Sequence, residues 1–200
     1  MNLCFVNLGL QIFIMLFSLF GRKPEAGSEV VFEDKVYISS EAKMRACLQL
    51  AKDQPTILFV GWFNETVRKF KDFFVQNGLE ESRVIEARSA HTAQLQNHVP
   101  VFIEHHPLHE KEIALAEKLG QTKIIVYSSL DEPLFNLFGS DKIILMMRQM
   151  GMKEDEAVVH PLITKSIKRA QEKIAEKISV EQSANSQAEW LERNTNKDIF

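Results

Sequence analysis

The chain has 200 residues, of which 45% are hydrophobic and 26% charged, and a net charge of −3. These are the proportions of a folded domain, and the negative balance excludes bulk electrostatic attraction to nucleic acid. The two cysteines, Cys4 and Cys47, form no Cys-x-x-Cys and no even framework, which excludes disulfide stapling and a thiolate zinc site and fits a reducing cytoplasm.

Residues 1–21 form an apolar N-terminal segment that carries no charge from Met1 to Phe20 and then meets Arg22-Lys23. Its length suits a single membrane span, with the basic pair holding the rest of the chain on the cytoplasmic side. It lacks the basic start of a signal peptide. A rival reading starts the protein at Met15, leaving a short apolar foot for peripheral membrane contact. Residues 22–29 ("RKPEAGSE") read as a linker.

From residue 30 the pattern is that of an α/β domain. "VVFEDKVYI" (30–38) is extended chain, and Ser40 is placed to cap a helix carrying Met44, Cys47, Leu48 and Ala51 on one face. A continuous apolar run at 56–61 predicts a strand buried on both faces, and 83–87, 99–104 and 122–128 are further strand candidates. Helices are predicted after Asn64, which is placed to cap one with Val67, Phe70 and Phe74 on one face and Gly78 at the end, and over 109–120. Alternating strands and helices predict a small doubly wound, mostly parallel sheet over residues 30–130.

Three helical stretches follow over 131–179. Gly139 is expected to end one short helix so that Ser140 caps the next. Ile163, Ile167, Ala170, Ile174 and Ile178 make a sustained apolar stripe behind Pro161, which suits a first helical position. The tail, 180–200, is polar apart from Trp190, Leu191, Ile199 and Phe200, and either frays or adds a docking helix around Trp190.

Two constellations are candidates for chemistry or contact. The loop "EHHPLHEKE" (104–112) follows a predicted strand, where open α/β sheets place ligands. Its His105, His106 and His109 are candidate ligands for zinc or another transition metal. The alternative is a polar loop, because Pro107 interrupts any fixed helix face. Trp62 and Phe63, at the end of the first core strand, are candidate anchors for a protein partner; the alternative is that both rings are core. Ser89 and His91 share a polar loop with no nucleophile elbow. Met146, Met147, Met150 and Met152 read as adaptable packing.

The stretch "SSLDEPLFNLFGSDKI…MRQMGMKEDEAVVHPLITKSIKRAQEKI" (128–174) resembles the SecA preprotein translocase family, at the end of its second nucleotide-binding domain and the start of its scaffold helix. The residues that carry the likeness are Ser129-Leu130-Asp131-Glu132, Phe138-Gly139-Ser140-Asp141-Lys142-Ile143, Met150-Gly151, Glu154-Asp155-Glu156, His160, Lys165-Ser166-Ile167 and Arg169-Ala170-Gln171-Glu172-Lys173. Upstream, "DKVYISSEAKMRACLQLAKDQPTILFVG" is collinear with the entry to the same domain. The resemblance implies a RecA-like sheet with a C-terminal helical extension.

The family's phosphate-binding motifs are not matched. The 200 residues contain no Gly-x-x-x-x-Gly-Lys-Thr, "EHHPLHEKE" stands where the family has Ala-Gly-Arg-Gly-Thr-Asp, and the Gly-Arg-x-Gly-Arg-Gln-Gly-Asp motif is missing. The expectation is therefore a degenerate, non-catalytic module with no ATPase activity and no cofactor. It is expected to act through a protein partner, with Sec translocation components the first candidates, in the cytoplasm or at the cytoplasmic face of the inner membrane.

Overall fold

A computed structural model describes residues 30–195. The apolar segment 1–21, the linker 22–29, and Ile199 and Phe200 of the tail lie outside the described residues.

Five strands form one sheet: β1 (Val31–Tyr37), β2 (Ile57–Gly61), β3 (Val84–Glu86), β4 (Val99–Phe102) and β5 (Lys123–Ser129). Their order is β1-β5-β4-β2-β3, and every neighbouring pair is parallel. Parallel neighbours require crossovers, which helices α1 (Ser40–Asp53), α2 (Asn64–Gln76) and α3 (His109–Lys118) supply. This is the doubly wound α/β class that the alternating pattern predicts.

The apolar runs are strands because both faces are covered. Successive side chains point to opposite sides, so Phe59 and Val101 meet Cys47, Val67, Phe70 and Phe74 of α1 and α2. Their neighbours Val60 and Phe102 meet Leu115, Ala116 and Leu119 of α3 and its end. Cys47 is fully buried, and burial pushes its thiol up to about 12, so it packs as an inert apolar group.

The caps differ by one residue from those expected. Ser39, not Ser40, caps α1 by accepting from the Ala42 amide. Ser40 is the first helical residue, and its amide and hydroxyl donate to Asp131. Asn64 does not cap α2; Phe63 occupies that position and makes no side-chain cap.

After β5 come α4 (Pro133–Asn136), α5 (Ser140–Gln149), α6 (Pro161–Ala175) and α7 (Gln187–Asn194). At the junction between α4 and α5, Gly139 lies in the left-handed region at φ 71° and is itself the residue before α5. Ser140 is the first residue of that helix, wholly buried, and its hydroxyl donates to Asn136.

Helices α5 and α6 close the β1 side. Ile143, Met147, Ile163 and Ile167 bury Val36 and Ile38 together with Leu130 and Phe135. Val158 adds an antiparallel bridge to Val36, with amide-to-carbonyl distances of 2.8 and 3.1 Å. It satisfies part of an edge strand that would otherwise stand open.

Candidate functional site at the carboxyl edge of the sheet

From β2 the chain moves outward to β3, whereas from β4 it moves the opposite way to β5. Strands β2 and β4 are neighbours, so their carboxyl ends flank the switch point at which open α/β sheets place ligands. The segment following β4, Ile103 to His106, begins here, and all four residues are buried.

Glu104 fills the switch point. Its Oε1 accepts from the amides of Trp62 and Phe63 at 2.8 and 2.9 Å, and its Oε2 from the Thr66 hydroxyl at 2.7 Å. These are donors at the start of α2, the end of a helix that favours negative charge. The carboxylate thus satisfies from across the sheet the amides that lead into α2, while the Glu65 amide of its first turn donates to the Asn185 carbonyl. Glycine is required at position 61, where a Cβ would come within 2.8 Å of Val67 and 3.5 Å of Glu104. Burial raises Glu104 to about 7, against the lowering effects of Thr66, the Phe63 amide and Lys43.

Lys43 is also buried, at 3% exposure. Its ammonium donates to the Ile103 carbonyl at 2.8 Å and to Glu132 Oε1 at 2.6 Å. Burial disfavours its charge, but Glu132 outweighs burial and raises the Lys43 pKa. Three donors converge on Glu132 Oε1, namely Lys43 Nζ, the Ser129 amide and the Ser129 hydroxyl. Glu132 Oε2 is buried with no hydrogen-bond donor.

A second polar cluster lies toward α6. His105 has Asp34 Oδ1 at 2.9 Å from Nε2 and Glu112 Oε1 at 2.9 Å from Nδ1, all three side chains at most 3% exposed. Burial works against a charged ring, yet Glu112 and Asp34 outweigh it and hold the His105 pKa well above 6.5. The contact with Asp34 is an ion pair without hydrogen-bond alignment, so both Asp34 oxygens lack a donor. Glu112 is better supplied. It accepts from His105, the His106 amide, His109 and Gln171. Burial would raise its pKa, but His105 and these donors bring it to about 2.

This geometry corrects the metal reading of His105, His106 and His109. A metal needs a lone pair on each ring, and both nitrogens of His105 face carboxylates. His106 uses Nδ1 to accept from the Leu108 amide, and burial lowers its pKa to about 4. His109 Nδ1 lies 3.1 Å from Glu112. Among the described residues no group of three or more His, Cys, Asp or Glu is arranged to hold a metal ion. The segment is polar, as the alternative reading has it, and its residues 104–106 are buried and support the tail.

Trp62 and Phe63 are likewise covered from within the chain. Phe63 is 3% exposed and stacks on His106 at 5.9 Å, and Trp62 packs edge-on to the same ring at 5.1 Å. Trp190 of α7 also packs edge-on against His106, at 5.5 Å. Gln187 bridges the Leu134 amide and the His105 carbonyl, and Gln171 donates to the His106 carbonyl. The pair is therefore part of an internal cluster with Leu108, Ile174 and Leu191, not a free anchor.

Three site residues escape a reading by motif: Lys43, Asp34 and Glu132. Lys43 lies four residues before Cys47, on the apolar face of α1, which is a legible sign of a buried cation. Asp34 has a turn-forming identity but sits in mid-strand, and Glu132 precedes a proline; neither position signals burial.

No known family profile matches the chain. Part of it matches curated relatives named "Protein translocase subunit SecA". That of Acidithiobacillus ferrooxidans is 54% identical over 48 residues, 24% of this chain and 5% of the relative. That of Afipia carboxidovorans is 46% identical over 55 residues, 28% of this chain and 6% of the relative. That of Methylococcus capsulatus is 44% identical over 48 residues. About a quarter of the chain is therefore a SecA-related region, and the matched stretch spans about a twentieth of the length of those relatives.

Proposed function

We propose that the chain is a non-catalytic SecA-related module that acts through protein–protein contact in protein translocation, in the cytoplasm or at the inner face of the cytoplasmic membrane. The observation that carries this reading is the carboxylate of Glu104 on the Trp62 and Phe63 amides. Backbone donors at a helix start after a parallel strand are where a phosphate would be held. A buried carboxylate already accepting those hydrogen bonds competes with and repels such an anion. Two further features support the reading: α7 and Gln171 cover the same edge, and the 200 residues have none of the family's phosphate-cradling motifs.

The test is thermal melting of the full chain with magnesium and ATP or ADP, with phosphate release measured alongside. A ligand at a hundred times its Kd adds about 2.7 kcal/mol, which moves Tm by roughly 5–10 °C for a chain of this size. No shift and no phosphate release are expected, together with capture of the chain by purified translocase components. A nucleotide-dependent shift, turnover, or failure to bind any of those components overturns the reading.

A further inference from the structure

The tail from Glu181 to Thr195 is a unit bonded within itself. Asn194 accepts from the Gln182 amide and donates to the Gln182 carbonyl, and Arg193 donates to the Ser183 carbonyl. The Asn185 amide donates to Glu189, and the Trp190 indole to Glu181. Ser179 and Val180 precede this unit. Both are exposed, Val180 at 77%, and neither has a hydrogen bond or ion pair among the described residues. An unbonded hinge beside a unit that keeps its own hydrogen bonds favours opening of that unit before the fold as a whole.

The unit is fastened to the body by two kinds of contact. Polar links run from Glu181 to Lys111 at 2.8 Å and from the Glu65 amide to the Asn185 carbonyl at 3.0 Å. Gln187 accepts from the Leu134 amide at 2.7 Å and donates to the His105 carbonyl at 3.0 Å. Trp190 and Leu191 add the apolar part, on a bed of Phe63, Leu108, Leu134 and Ile174. The bed thus joins an apolar surface to backbone donors and an acceptor. It fits a helix that brings a glutamine, an aromatic ring three residues on and an aliphatic side chain next to it, all on one face.

We propose that residues 181–195 are a strap hinged at Ser179-Val180, and that the bed beneath is a docking groove for a partner protein's amphipathic helix with the same Gln-x-x-aromatic-aliphatic pattern. The strap fills the groove in cis and is closed in most molecules. A partner helix therefore binds through the open fraction, and its apparent affinity falls by that fraction. The partner class rests on the protein–protein reading above. The strap and its groove do not, because they are tested with this chain's own sequence.

Opening is read by native-state hydrogen exchange of the full chain. The Glu65 and Leu134 amides lie in different helices, but both have their acceptors on the strap. They should share one opening and be at least tenfold less protected than the Ile103 amide, which donates to the Val60 carbonyl within the sheet. Protection equal to that of Ile103, or unlike for the two amides, overturns the proposal.

Docking is read by fluorescence anisotropy with a labelled, capped peptide of residues 180–195. The full chain carrying Trp190→Ala, whose strap has lost its apolar anchor, should bind this peptide at least tenfold more tightly than the wild type does. A peptide carrying Trp190→Ala should not bind. Because Trp190→Ala also uncovers the apolar bed, Gln187→Ala provides the second variant, and it too should bind the peptide more tightly than the wild type. Equal binding by wild type and folded variants, no binding by either folded variant, or equal binding of the altered peptide overturns the groove and leaves the translocation reading to its own test.

Discussion

At the scale of single residues, Glu104 couples the fold to pH. Its carboxyl titrates at about 7 in the folded chain and near 4.5 when unfolded. Between those values the folded state holds the proton more tightly, so this group's contribution to stability declines as pH rises through that window. At about 1.36 kcal/mol per unit, the decline is at most roughly 3 kcal/mol. Glu104→Gln removes it, since a glutamine oxygen can still accept from the Trp62 and Phe63 amides while its NH2 donates to Thr66. His105, His106 and Glu112 titrate in both proteins and largely cancel in the difference. Urea unfolding at pH 5 and pH 8 should therefore show Glu104→Gln gaining on the wild type by up to that amount. A stability difference that stays constant with pH means that Glu104 ionises as a solvent-exposed carboxyl does.

At the scale of elements, the joint between α4 and α5 depends on Gly139. Its φ of 71° is one that a side chain disfavours, and a Cβ there would touch nothing within 4 Å. Gly139→Ala is therefore a test of backbone strain alone, with an expected loss of about 1–2 kcal/mol in chemical unfolding. No loss would mean that the joint shifts freely to another conformation. The sequence signals this joint because glycine before Ser-Asp has a local meaning. Local meaning also made the strands legible, as β2 is a short apolar run and β4 and β5 are built around one, and the stripe of α6, as its spacing is helical. What sequence could not supply was anything decided across the sheet. Asn64 is a reasonable cap by composition, yet the amides before it go to Glu104, 41 and 42 residues away in the chain. His105 and His106 look solvated by identity. They are buried because Asp34, Glu112 and Gln171 arrive from three other elements, and no periodicity announces that meeting. Trp190 stood between a frayed and a docked tail for the same reason: the surface that receives it belongs to residues 63, 106, 108 and 134.

At the scale of the whole molecule, the helical region completes the sheet domain. Val36 and Ile38, next to the free edge of β1, have their apolar partners in α5 and α6. Phe63 and Leu108, at the carboxyl edge, have theirs in Ile174, Trp190 and Leu191. Polar groups cross the same boundary, since the carbonyls of His105 and His106 receive Gln187 and Gln171. Removing everything after residue 130 would expose apolar surface along an edge and an end of one sheet, and would leave buried acceptors without donors. A fragment of residues 30–130 should therefore keep strand and helix signals in far-UV dichroism but melt without cooperativity and bind a hydrophobic dye. The full chain should unfold in one transition, seen alike by far-UV dichroism and by the fluorescence of Trp62 and Trp190, both of which pack against His106. A cooperative melt of the fragment at the temperature of the full chain would make the helices an appendage. The SecA-related region would then have to be understood as a separable unit instead of the covering that the sheet requires.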